Sequence, residues 1–204
     1  MAKTIVVFHS GMGHTVAVAK AARDGAASVP GMAAELVYVT DAPQRWADFA
    51  AADAIIFGCP TYMGSASGPF KTFMDATSGI WARLGWRGKV AAGFTSSGNQ
   101  SGDKLATLIQ LAVFAMQHGM IWVGLDLPGG NNSSRGNASD LNRLGSWLGA
   151  MAQANMDQGV EGIPDSDLRT ALRLGARTAE VTLDLLAGRA ARATPARPVA
   201  DAAQ

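Results

Sequence analysis

The 204-residue chain is poor in the residues that would commit it to several chemistries. Its one cysteine, Cys59, excludes an intrachain disulfide and a cysteine-based zinc site. So little thiol carries the expectation of a cytoplasmic setting. Charged residues make up 16% of the sequence and sum to +1, which argues against nucleic acid or an anionic membrane as a partner. No apolar run nears the roughly 20 residues that span a bilayer. The apolar stretch behind Met1-Ala2-Lys3-Thr4 is too short for a signal peptide. No Gly-Lys-Ser/Thr triplet occurs, so a triphosphate P-loop is excluded. No internal repeat or domain boundary interrupts the chain.

What is there alternates. Apolar, β-branched runs at residues 4–9, 34–39, 54–58, 90–95 and 120–125 read as strands. Helical spacing is expected at 14–27, 69–81 and 104–117, and in a last helix from 164 to 187 that Asp165 or Ser166 would cap. A short helical piece fits 47–52, and Leu141, Leu144, Leu148 and Met151 suggest a further helix within 140–156. The alternation argues for a five-stranded parallel α/β sheet, doubly wound in the order 2-1-3-4-5, with helices on both faces. One domain is expected over residues 1–188, with 126–164 as an excursion after the fifth strand and 189–204 as a disordered tail.

Three loops of small residues follow the first, third and fourth of these strands. They are Ser10-Gly11-Met12-Gly13-His14-Thr15, Cys59-Pro60-Thr61-Tyr62-Met63-Gly64, and Ser96-Ser97-Gly98-Asn99-Gln100-Ser101-Gly102. In the order 2-1-3-4-5 those strands are neighbours, so the loops converge at the carboxyl edge, where open α/β sheets bind ligands. The first loop runs into a helix start, whose amides suit a phosphate. It lacks the leading cysteine of a thiol phosphatase. It carries two dinucleotide-type glycines, with Val16 at the place of the third, and Asp41 keeps a ribose-binding reading open. Each loop alone also reads as plain turn chemistry.

Taken together the motifs carry a resemblance. Ser10 to Thr15, the run Ile55-Ile56-Phe57-Gly58 with Pro60-Thr61, residues 73–82, residues 94–102 and His118-Gly119-Met120 occur in an order similar to the flavodoxin-like NAD(P)H:quinone oxidoreductases of the WrbA type. That resemblance implies FMN as cofactor. It implies that Ser10, Gly11, Met12, Gly13, His14 and Thr15 hold the phosphate, and that Pro60, Thr61, Tyr62, Met63 and Gly64 border the ring. Ser96, Ser97, Gly98, Asn99, Gln100 and Ser101 would line the ribityl chain and pyrimidine edge. NADH or NADPH would reduce the flavin and a small quinone would then collect both electrons. Met12 stands where the family carries an aromatic residue, beside the substrates. Trp81 and His118 sit behind helices that run away from the carboxyl edge. The resemblance gives them a role in a neighbouring subunit's site within a dimer or tetramer, Trp81 toward substrate and His118 in catalysis. Without it, Trp81 reads as core and His118 as a helix C-terminal cap. A flavodoxin-like electron carrier and an NAD(P)H-dependent flavin or azo reductase are the competing activities.

Overall fold

The computed structural model describes residues 1–193. Its strands are β1 (Ala2–Phe8), β2 (Met32–Tyr38), β3 (Ala54–Tyr62), β4 (Ser65–Ala66), β5 (Val90–Ser97), β6 (Ile121–Trp122) and β7 (Ala150–Gln153). The helices are α1 (His14–Ala27), α2 (Trp46–Ala51), α3 (Gly68–Ala76), α4 (Ser78–Ala82), α5 (Lys104–Gln117) and α6 (Asp165–Ala193). The sheet runs β2-β1-β3-β5-β6, with parallel pairing along that path. The fold is flavodoxin-like, with the expected strand order. β3 and β5 are central and covered on both faces, and accordingly every residue of β3 from Ala54 to Thr61 is buried.

The two faces are packed differently. On one, Phe49, Phe57, Phe70, Phe73, Trp86 and Phe114 form an aromatic core. On the other, Val18, Ala19, Ala22, Ala171 and Leu174 let α1 and α6 pack tightly. A Cβ at Gly25 would overlap the Leu172 carbonyl, and one at Gly175 the Ala22 carbonyl, so this helix pair tolerates only glycine at both crossings.

Five expectations need correction. The fifth strand does not run through 120–125; only Ile121–Trp122 joins the ladder. Past it, the edge of β5 is taken by β7, with Phe94 opposite Ala150 and Ser97 opposite Gln153. The chain leaves the sheet because residues 147–149 cross it: a Cβ on Gly124 would meet the Trp147 carbonyl oxygen at 2.5 Å. The helix expected within 140–156 does not form. Asn142 and Gly145 adopt positive φ (48° and 66°), which breaks helical continuity, and the segment ends as β7. The helix expected over 69–81 divides at Thr77, whose hydroxyl donates to Met74 O and pairs with His118 Nε2 at 2.9 Å. Finally, α6 reaches Ala193, so 189–193 are helical rather than tail; the remaining tail residues lie outside the described ones. Ser166 donates to Ala138 O instead of capping this helix.

Candidate functional site

The three loops do meet. They wall a cavity of about 640 Å³ at the carboxyl edge of β1, β3 and β5. Met12, His14 and Thr15 come from the first loop, Pro60, Thr61, Tyr62, Met63 and Gly64 from the second, and Ser96, Ser97, Gly98 and Asn99 from the third. Gly102, Asp103, Ala154 and Met156 complete the lining. Gln100 and Ser101 turn instead to a neighbouring cavity behind the third loop. Ser10, Gly11 and Gly13 support the first loop without lining the cavity.

Local forces explain how each loop is held. Gly13 precedes α1 at φ 89° and has no side chain to cap it, and no acidic residue lies in the first turn. The start of α1 therefore keeps a positive dipole end and free donors. Ser10 Oγ accepts from the Val16 amide at 3.3 Å, and Tyr38 Oη donates to the Ser10 carbonyl. At Gly11 a Cβ would lie 2.5 Å from the Tyr62 hydroxyl, so the first and second loops approach closely there and a side chain would displace the Tyr62 ring. Thr15 and Ser96 hydroxyls pair at 2.8 Å and tie the first loop to the third. Thr61 Oγ1 sits 2.8 Å from Thr95 Oγ1 and donates to Thr107 Oγ1, which ties the second to the third. Met63 and Gly64, both at positive φ, turn the second loop outward, and Met63 is fully exposed.

The third loop is held from behind. Lys104 is fully buried, and its Nζ donates to the carbonyls of Asn99 (2.6 Å), Gln100 (2.8 Å) and Ser101 (3.3 Å). Burial pushes its pKa down to about 8, against the pull of Asp167. Gln153 Nε2 donates to the Gly98 carbonyl at 3.0 Å. Gln153 is itself fixed by Asp167, which accepts its amide and forms a buried pair with Arg143.

The excursion supplies the last wall. His14 Nε2 lies 2.8 Å from Gln158 O and 3.1 Å from Gly159 O. Both partners are acceptors, so this nitrogen carries the proton. His14 thus clasps the first loop to the strap carrying Ala154 and Met156. Sequence reading missed those two residues because their segment looks helical. Gly102 was visible as the end of the third loop's small-residue run, whereas Asp103 was missed because it reads only as the residue before the next helix.

Trp81 and His118 lie elsewhere, in a pocket of about 260 Å³ with Lys71, Asp75 and Phe114. Trp81 is half exposed. His118 is 1% exposed, its ring tilted against that of Trp86 with centroids 4.5 Å apart, and its Nδ1 has no partner among the described residues. Burial pulls its pKa down to about 4, so the ring is neutral at pH 7. Cys59 is buried and its thiol is pushed up to about 12, which leaves it unreactive.

The donor set fits FMN. A phosphate meets helix-start amides and hydroxyls with no carboxylate in the first turn. The cavity has the size of a cofactor site. Its lining includes one carboxylate, Asp103, and no Lys or Arg. The amides of Asn99 to Asp103 have no partner within the described residues, so donors remain for a polar ring edge.

Comparison with known proteins agrees. The family described as NADPH-dependent FMN reductase matches residues 4–127. The flavodoxin FldP of Pseudomonas aeruginosa is 42% identical over 182 residues, covering 89% of this chain and 97% of that protein. An NAD(P)H dehydrogenase (quinone) of Archaeoglobus fulgidus is 35% identical over 207 residues, covering 89% and 97%. Among solved structures, a flavodoxin, WrbA-like protein from Agrobacterium tumefaciens superposes with a TM-score of 0.71 at 39% identity, covering 90% of this chain and 99% of that one.

Proposed function

The chain belongs to the NADPH-dependent FMN reductase family, and on that premise we propose that it is a cytoplasmic, FMN-dependent NAD(P)H:quinone oxidoreductase. The observation that carries the reading is the convergence of three loops on one cavity whose free donors suit FMN. Bound FMN supplies two-electron redox chemistry.

The protein's residues do the rest. The first-turn amides of α1, with the Thr15 hydroxyl, hold the phosphate, and Ser10 braces the loop from behind. Tyr62, whose hydroxyl lies beside Gly11, borders the ring. Exposed Met12 and Met63 flank the opening and shield the ring from water without adding charge. The third-loop amides face the polar edge, where electron density grows on reduction. One opening serves both substrates, so NADH or NADPH leaves before the quinone enters. Trp81 reaches a flavin only from another copy of the chain, which makes a homo-oligomer part of the reading. His118 acts behind it: neutral and buried, it fixes Thr77 and the packing under Trp81 rather than delivering a proton.

The name of the Pseudomonas aeruginosa relative favours a second reading, a flavodoxin-like carrier. Against it stands a near-neutral net charge of +1, where carriers of that type dock through a strongly acidic face. Anaerobic mixing separates the two. FMN-loaded protein should lose its flavin absorbance with NADH or NADPH and regain it with benzoquinone, and initial rates should give parallel double-reciprocal lines. Protein that takes up FMN but reacts with neither donor is a carrier. Protein that takes up no FMN refutes both readings.

A further inference from the structure

Lys104 is unusual in two respects. It is a fully buried lysine, and its Nζ contacts three successive backbone carbonyls, those of Asn99, Gln100 and Ser101. All three ammonium protons thus have acceptors, which keeps the charge on the nitrogen. In a planar trans peptide, the amide following each carbonyl points the opposite way. The amides of Gln100, Ser101 and Gly102 therefore point away from Nζ, and none has a partner within the described residues. Asn99, Gly102 and Asp103 line the 640 Å³ cavity, whereas Lys104 lines the cavity on the other side of the loop, where the side chains of Gln100 and Ser101 also lie while their amides point away from Nζ. Gly102 and Asp103 carry positive φ (53° and 54°), a conformation that is free for the glycine and costs the aspartate, so the bend that allows this arrangement is held at Asp103.

We propose that Lys104 is a positioning residue for the flavin: its ammonium draws the third loop's carbonyls backward, turns the loop's amides to the cavity, and sets a fixed positive charge behind the edge where reduced flavin becomes more negative. The proposal rests on FMN occupying this cavity. Lys104 compensates for a lining without Lys or Arg by acting through the backbone, out of reach of substrate. Its lowered pKa, about 8, still leaves it mostly protonated at neutral pH.

The test compares FMN-loaded wild type with Lys104→Gln and Lys104→Arg, by redox titration against a reference dye and by FMN fluorescence. Lys104→Gln keeps two donors but no charge. It should weaken binding of reduced FMN about tenfold more than oxidised FMN, a fall of about 30 mV in the two-electron potential. Lys104→Arg should hold the potential near wild type. A Lys104→Gln potential equal to wild type overturns the proposal, and so does an equal drop in both variants. Wild-type protein gives an independent arm that survives misfolding of either variant. In its ¹H–¹⁵N spectra the amides of Gln100, Ser101 and Gly102 should shift on FMN uptake and again on reduction. Uptake of FMN with unresponsive amides overturns this proposal alone; no uptake at all overturns the cavity assignment with it.

Discussion

The carboxyl-edge cavity and the aromatic nest around His118 are built from opposite principles. The cavity is a set of backbone turns tied by hydroxyls, with Met12, Met63 and Met156 exposed at its mouth and donors left unpaired. The nest is closed: the rings of Trp86, Phe114 and His118 meet at tilted and edge-to-face angles with centroids 4.5 to 6.2 Å apart, and buried His118 Nδ1 is left without a partner among the described residues. Each region holds a histidine that a sequence reader would pick out. His14 lies on the cavity wall and secures a strap; His118 is packed and neutral. Residue type therefore says less about chemistry here than the company each side chain keeps: unspent polar capacity marks the cavity, and spent packing marks the nest.

If that contrast is right, substitutions in the nest change stability and those in the cavity change binding. The largest effect is expected for Trp86→Ala, about 4 kcal/mol of lost stability by urea unfolding, because it opens a void among the four rings of Phe49, Phe57, Phe114 and His118. FMN affinity of whatever folded protein remains should be unchanged; a matching loss of affinity would break the comparison.

Next is the acid response of His118. Its pKa falls from 6.5 to about 4 on folding, so between those values the unfolded chain binds more protons. Stability contributed by the neutral ring is full above pH 6.5 and is lost as pH falls toward 4, by about 3 kcal/mol in total. Burial lowers the His9 pKa as well and adds to the slope. The measurement is thus the difference between wild type and His118→Gln across that range, and a flat difference curve would contradict a buried His118.

In the cavity, Thr15→Val should weaken FMN about tenfold, or about 1.4 kcal/mol, by fluorescence titration, through loss of the hydroxyl and of its tie to Ser96. Its unfolding midpoint should move far less than that of Trp86→Ala. The smallest effect is on the stability of Met63→Ala, within about 0.5 kcal/mol, since the side chain is fully exposed. Quinone turnover should nevertheless change. A stable variant with wild-type turnover for every quinone tried would remove Met63 from the opening.

The parts legible in the sequence are those fixed locally or by simple alternation. β3 and β5 show as continuous apolar runs because both faces are covered, and the three loops show because glycine, serine and proline punctuate strand ends. From those the strand order and the meeting of the loops followed. The excursion was not legible. Leu141, Leu144 and Leu148 have helical spacing, but Asn142 anchors a turn by accepting from the Ser146 amide and donating to the Leu127 carbonyl. β7 exists only because β5 offers it an edge. The burial of His118 was equally hidden, since it depends on neighbours distant in the chain, and that of Lys104 was hidden because its nearby carbonyls converge on it only once the third loop bends. Lys104 looked like one more helix-start lysine.

The split edge of β5 has a consequence in time. β6 and β7 share that edge, but residues 123–149 run between them, so closing the second half means closing a long loop. The three loops can form around β1, β3 and β5 while the strap through Ala154 and Met156 is still undocked. Docking then spends the Gln153 amide on Asp167 and the Gln158 and Gly159 carbonyls on His14. The cavity is thus a cup whose rim arrives last in folding and leaves first in local opening. Cofactor should load before the rim seats, and its escape rate should follow the opening of that rim rather than the stability of the sheet beneath it.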